Sequence, residues 1–289
     1  MARKPQIAIV GPGRLGSALA LRLKGAGYTI REVVSRTAAG SQNKARALAR
    51  SVRARTVTRA SARLDADVIW FCVADREIAD AARELASLID WKGKTAFHSS
   101  GALASDKLDV LRSRGAAVAS VHPLMTFVGG SKPSLKGVSF AVEGERAAVR
   151  QARKIVADLG GETFLISKKN KAAYHAWGAF TSPLLVAALV TGERVAKAAG
   201  IPPAQARRRM LPIVNQTLAN YAFLGPAGAF SGPLVRGDAG VVRQHLQVLK
   251  KVPPARDLYL ALARAALRYL PARERKQLGK VLAAPAANR

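Results

Sequence analysis

The hexapeptide Gly11-Pro12-Gly13-Arg14-Leu15-Gly16 constrains this chain more than any other segment, because it directly follows the apolar run Ile7-Ala8-Ile9-Val10. In a β-α-β unit that binds a dinucleotide, the first glycine makes a tight turn and the second admits the pyrophosphate against bare backbone. The third lets the helix pack on the strand. Gly11, Gly13 and Gly16 take those positions, with Pro12, Arg14 and Leu15 between them. Ser17 to Leu23 has helical periodicity, so its start aims free N–H groups and the positive end of a dipole at the phosphates. A secretory-signal reading of Arg3, Lys4 and the apolar run fails, since Gly-Pro-Gly and Arg14 break it and no small-residue cleavage pattern follows.

The tip of the second strand decides between NAD and NADP. An acidic residue about 20 positions after the glycine turn usually holds the adenosine ribose of NAD. This chain has Ser35-Arg36-Thr37 there, and its one nearby carboxylate, Glu32, lies mid-strand. A guanidinium and two hydroxyls suit the 2′-phosphate of NADP. Between Val33 and Leu64 there is no Asp or Glu, whereas Arg36, Lys44, Arg46, Arg50, Arg53, Arg55, Arg59 and Arg63 all occur. NADP is the expected cofactor, held by Gly11 to Gly16, Ser35, Arg36 and Thr37. Val73 and Ala74, after the strand Asp67 to Val73, and Ser99 and Ser100, after the strand Lys94 to His98, complete the expected set.

With 289 residues, 49% hydrophobic and 22% charged, the chain can bury one large core or two medium ones. The longest apolar stretch, around Pro183 to Val190, is too short to cross a bilayer, so no membrane span is expected. The single cysteine, Cys72, sits in a strand-like run and fits a reducing cytoplasm. The four histidines are dispersed without zinc-ligand spacing, and no metal site is expected. A net charge of +29 raises the question of nucleic acid. The basic residues are spread along the whole chain without a recognition motif, and aromatics are 6%, which argues against specific nucleic-acid binding. Steering of an anionic cofactor and substrate accounts for the charge equally well.

Strand and helix patterns alternate through the first half, with further strands at Ala117 to Val121, Val138 to Val142 and Thr163 to Ile166. From Lys168 onward the pattern is helical, with a long helix from Lys171 to Ala199 and others around Ala204 to Ala222, Ala239 to Val248 and Arg256 to Tyr269. The fold class is therefore α/β: a doubly wound, mostly parallel sheet over residues 1–167, followed by an all-helical domain over 168–289. The end, Ala283-Ala284-Pro285-Ala286-Ala287-Asn288-Arg289, is expected to be disordered. Apolar faces on the long helices lead to the expectation of a homodimer.

This organisation resembles the superfamily of 6-phosphogluconate and 3-hydroxyisobutyrate dehydrogenases, ketopantoate reductase and pyrroline-5-carboxylate reductase. Three motifs narrow the resemblance: His98-Ser99-Ser100-Gly101-Ala102-Leu103, Ser120-Val121-His122-Pro123-Leu124-Met125-Thr126-Phe127, and Gly232-Pro233-Leu234-Val235-Arg236-Gly237-Asp238 with His245. Together they are similar to a family of predicted Rossmann-fold oxidoreductases whose second half is a domain of unknown function. The resemblance implies hydride transfer between NADP(H) and a C=O or C=N group of a small metabolite. An anionic substrate fits the absence of carboxylates between Glu193 and Asp238. His122 resembles part of the His-Pro-Met element of prephenate dehydrogenases, which makes that class the alternative. A regulator that holds NADP without turnover is another.

The strands ending at His98 and Val121 deliver Ser99, Ser100 and His122 to the carboxyl edge of the sheet, where ligands bind in such folds. In the hydroxyacid dehydrogenases a Lys and an Asn, spaced i to i+4, protonate and orient the substrate oxygen. Lys171 matches the lysine, and His175 replaces the Asn. Lys171, His175 and His122 are the expected catalytic residues, converging on the nicotinamide in an interdomain cleft. His98, Arg236 and Asp238 are the expected substrate contacts.

Overall fold

A computed structural model describes residues 3–129, 131 and 133–283. Strand β1 (Ile7–Val10) leads into α1 (Arg14–Gly25), then β2 (Ile30–Ser35), α2 (Ala39–Val52), β3 (Arg55–Thr58), β4 (Val68–Phe71) and α3 (Ile78–Ala86). The sheet continues through β5 (Thr95–His98), the short α4 (Asp109–Arg112), β6 (Ala117–Pro123), β7 (Ser139–Gly144), α5 (Arg146–Asp158) and β8 (Glu162–Leu165). The order is β3-β2-β1-β4-β5-β6-β7-β8, parallel throughout except for the antiparallel pair β6 and β7. Strand order reverses between β1 and β4, which opens the ligand crevice beyond their carboxyl ends.

The central strands read as continuous apolar runs because both faces are covered. Alternation along β1 sends Ile7 and Ile9 to one face, against Leu19 and Leu23 of α1, Leu48 of α2 and Ile155 of α5. Ala8 and Val10 go to the other, with Phe71, Ile78 and Leu85 of α3 and Trp91. Strand β3 is absent from the sequence reading, since Arg55-Thr56-Val57-Thr58 holds one aliphatic residue and is half exposed.

After β8 the chain is helical: α6 (Lys171–Thr181), α7 (Pro183–Ala198), α8 (Pro203–Ala229), α9 (Pro233–Arg236), α10 (Ala239–Leu249), α11 (Pro253–Tyr269) and α12 (Arg275–Ala283). The single helix expected from Lys171 to Ala199 is two, broken at Ser182 (φ −133°, ψ −79°), where Pro183 has no backbone N–H to donate. Helix α8 runs past Ala222 and bends at Gly225, whose φ of 71° lies outside the helical region. The expected disorder of the end concerns residues 284–289, outside the described residues.

Two compact units divide between Ala179 and Phe180, not at the change of element type near residue 167. Helix α6 stays with the sheet because Lys171 and Tyr174 are buried there. The second unit has its own small core of Val242, Leu246, Leu260, Ala263, Leu278 and Leu282, contributed by α10, α11 and α12. Arg207 of α8 grips both carboxylate oxygens of Glu193 on α7, at 2.8 and 3.0 Å. Elsewhere α7 and α8 leave large apolar side chains uncovered, among them Ile213 at 68% and Phe223 at 86% exposure. Contrary to the short stretch read from the sequence, the helical run Lys168–Ala198 is by length and composition long and apolar enough to cross a membrane, with a mean hydropathy of 1.3 over an 18-residue window. The break at Ser182 divides its α-helical part into segments of 11 and 16 residues.

Candidate active site

The glycine turn joins β1 to α1. Gly11 has a φ of +106°, and a Cβ there would lie 2.8 Å from the Cys72 carbonyl oxygen. A Cβ on Gly16 would collide with the carbonyl oxygen of Gly11. At Gly13 a Cβ would meet nothing nearer than the Cys72 carbonyl oxygen, at 3.8 Å, so bare backbone faces open space. Gly13 caps α1 without a side-chain hydrogen bond, which leaves the helix N–H groups free. This is the geometry that a pyrophosphate needs. A cleft of about 550 Å³ lies over the turn, lined by Gly11, Pro12, Gly13, Val73 and Ala74 and by the tip of β2. Arg14 turns to a second cleft, of about 510 Å³, with Ser17 and Lys44.

At the tip of β2, Arg36 is 56% exposed in its side chain and reaches the first cleft. Its Nη1 donates to Glu77 Oε1 at 3.0 Å, and Nη2 of Arg59 donates to Glu77 Oε2 at 3.2 Å. Lys44 and Arg76 line the same cleft, so among the described residues four cations face one carboxylate. A dianionic phosphate is the group such a wall fits. Ser35 does not offer the hydroxyl expected of it: it is buried, and its Oγ donates to the Arg36 carbonyl at 3.0 Å. Thr37 is exposed beside it. Ser41, in the first turn of α2, lines the cleft instead. Glu32 is buried, accepts from Arg55 and the backbone of Leu64, and takes no part.

Beyond the carboxyl ends of β5 and β6, hydrogen bonds tie loop to helix. Lys171, 1% exposed, donates from Nζ to the Ser100 carbonyl at 2.8 Å and to Ser120 Oγ at 2.5 Å. Burial lowers its pKa to about 8. His122 is hydrogen-bonded through Nδ1 to the Tyr174 hydroxyl at 2.7 Å. Burial, with the positive charge of Lys171 next in weight, lowers the His122 pKa to about 4, so the imidazole is neutral at physiological pH. The rings of His122 and His175 lie 6.1 Å apart, with Gly101 between them. A Cβ on Gly101 would approach His175 Cδ2 to 2.6 Å and His122 Nε2 to 2.9 Å, so only glycine lets both imidazoles close on this loop. His175 itself is exposed.

The structure thus brings His122, Lys171 and His175 together around Ser100 and Gly101, all within the first unit. Other expected contacts are committed elsewhere. His98 is fully buried; its Nδ1 accepts from the Ser100 N–H at 3.2 Å, which assigns the proton to Nε2, donating to the Ala104 carbonyl at 2.9 Å. Burial lowers its pKa to about 4, and it latches a loop rather than meeting a substrate. The Ser99 hydroxyl accepts from the buried Trp70 indole at 2.7 Å, and the Ser100 hydroxyl donates to Asp75 at 2.8 Å. The Ser100 hydroxyl, which also accepts from the Ala102 and Leu103 N–H groups, is not free for a cofactor without breaking such a bond. In the second unit Arg236 and Asp238 form an ion pair at 2.8 Å, around the left-handed turn at Gly237.

Tyr174, Ser120 and Asp75, absent from the sequence-based set, belong to this network, and Lys44, Ser41, Arg59, Arg76 and Glu77 to the cofactor cleft. Ser120 lies inside a quoted motif, Tyr174 between Lys171 and His175, and Lys44 and Arg59 inside the acid-free segment. Glu77 carried no local signal.

Residues 6–95 match the family described as NADP oxidoreductase coenzyme F420-dependent, and residues 138–266 match a domain of unknown function, DUF2520. No curated protein matches the chain. Among solved structures, a protein described as an NADP oxidoreductase from Bacteroides fragilis superposes with TM-score 0.76 at 23% identity, covering 91% of this chain and 97% of its own. An imine reductase from a Pseudomonas species gives 0.63 at 22% identity, over 97% and 100%. One from Myxococcus stipitatus, in complex with NADP+, gives 0.64 at 21% identity, over 91% and 94%. These likenesses carry the fold, and the family match carries the cofactor. The chain joins a segment that matches an NADP oxidoreductase domain to one that matches a DUF2520 domain, an arrangement similar to that of Rossmann-fold NADP oxidoreductases.

Proposed function

We propose that the protein moves a hydride between NADP(H) and the carbon of a C=O or C=N group in a small anionic metabolite, beyond the carboxyl ends of β5 and β6. The observation that carries this reading is a buried lysine beside two imidazoles, at the edge where a dinucleotide laid over Gly11 to Gly16 points its nicotinamide. Bound NADPH supplies the hydride. Lys171 holds the proton that the reduced oxygen or nitrogen takes up: two of its three N–H donors are committed, and one remains for substrate. Its lowered pKa makes proton release near neutral pH easy. Neutral His122, braced by Tyr174, and His175 orient the acceptor group.

Imine reductases among the structural neighbours support including C=N acceptors, and the net charge of +29 supports an anionic substrate. In this reading residues 1–167 hold the cofactor, and 168–289 supply substrate contacts and pair two copies in the cytoplasm. Uncovered apolar side chains such as Ile213 and Phe223 support the pairing, and light scattering at micromolar concentration is expected to return twice the mass of one chain. A monomer mass removes it.

The test of function is consumption of NADPH by the purified protein, read by fluorescence, against 2-oxo acids, preformed imines and coenzyme F420. Turnover with a carboxylate-bearing carbonyl or imine supports the proposal. Tight NADPH binding without turnover of any acceptor replaces it with the non-catalytic regulator.

A further inference from the structure

Among the described residues Glu77 is the one carboxylate in the wall of the cofactor cleft, and its placement is paradoxical for a pocket that takes an additional phosphate. Its two oxygens resolve the paradox. Oε1 accepts from Arg36 at 3.0 Å and Oε2 from Arg59 at 3.2 Å, while Nη1 of Arg59 also donates to Glu84 of α3 at 3.1 Å. Arg36, Glu77, Arg59 and Glu84 form one ladder from the tip of β2 to α3. Arg59 is its fixed rung, with a side chain only 10% exposed. Arg36, at 56%, would otherwise sample many rotamers in water.

We infer that Glu77 is a specificity-determining positioning residue: it holds the Arg36 guanidinium over the cleft for the 2′-phosphate, while its own oxygens are withheld from the ribose hydroxyls that an acidic residue would bind in NAD. One guanidinium nitrogen of Arg36 is used by Glu77, so Nε and Nη2 remain for a phosphate, an anion that suits a pre-held planar fork. Neutralising Glu77 has two opposite consequences. It removes one negative charge from the pocket, which favours phosphate, and releases Arg36, which disfavours it. Because Arg36, Lys44, Arg59 and Arg76 already make the pocket strongly positive, the loss of positioning is the larger effect.

The inference rests on the NADP reading of this cleft, and a double-mutant cycle separates the two. Dissociation constants for NADPH and NADH are measured by fluorescence titration in the native protein, Glu77→Gln, Arg36→Ala and the double variant. In the native background Glu77→Gln is expected to lower the preference for NADPH over NADH by about fivefold or more, and by less than about twofold when Arg36 is already alanine. Glu77→Asp, which keeps the charge but is too short to span both guanidiniums, is expected to give an intermediate preference and serves if Glu77→Gln does not fold. An unchanged or increased preference in either Glu77 variant, or an equal fall in both backgrounds, overturns the positioning role while the cofactor reading stands. A native protein without preference for NADPH overturns the phosphate pocket itself.

Discussion

Two stretches of the same sheet edge prepare for a ligand by opposite physical means. At the tip of β2 the groups are charged and reached by solvent, as with Arg36 at 56% exposure, and are organised by ion pairs. Beyond β5 and β6 the groups are buried, as with Lys171 at 1%, and are organised by close hydrogen bonds to backbone and hydroxyls. Exposed pairs are individually weak and screened by salt, so the first region positions its charges by modest, salt-sensitive energies. A buried network fixes geometry, and any loss within it leaves unpaired groups. Under the proposed function, cofactor preference falls to the first region and turnover to the second.

The largest expected effect tests that division directly. Lys171→Met fills the buried volume without the ammonium and is expected to lower turnover roughly 100-fold, with NADPH affinity within about threefold. Parallel titrations and rate measurements that show both falling together merge the two regions into one site. Next in size is Gly101→Ala. The new methyl group presses on His175 and His122, and turnover is expected to fall about tenfold or more through their displacement. A fully active Gly101→Ala enzyme removes both imidazoles from the reaction.

The smallest effect is a pH dependence that only one region shows. Burial brings the folded-state pKa of Lys171 from 10.5 to about 8, so its protonated fraction, and with it the rate of reduction, falls as pH rises through about 8. Between about 8 and 10.5 the folded chain holds fewer protons at this site than the unfolded chain, so the contribution of Lys171 to stability rises with pH there. NADPH affinity, which rests on arginines, is expected to stay level from pH 7 to 9. A reduction rate that stays level over that window excludes Lys171 as the proton donor.

How much of this was legible in the sequence follows from contact range. The turn from Gly11 to Gly16, the alternation of strand and helix and the change to helices after β8 all lie in local pattern. Each shows in a window of ten to twenty residues. The i to i+4 spacing of Lys171 and His175 is local too, and it brings both to the loop after β5. Strand β3 escaped because an edge strand with one aliphatic residue has no period to detect.

By itself the sequence determined a Rossmann cofactor domain, an NADP-type strand tip without a carboxylate and a helical second half. Each of these depends on neighbours in the chain. Only the tertiary structure decided which polar groups are free to act. Trp70 claims the Ser99 hydroxyl across 29 positions, Glu77 claims Arg36 across 41, and Ser100 receives Lys171 across 71. A buried donor or acceptor must be paired wherever its partner lies in the chain, so no local pattern shows which side chains remain for a ligand.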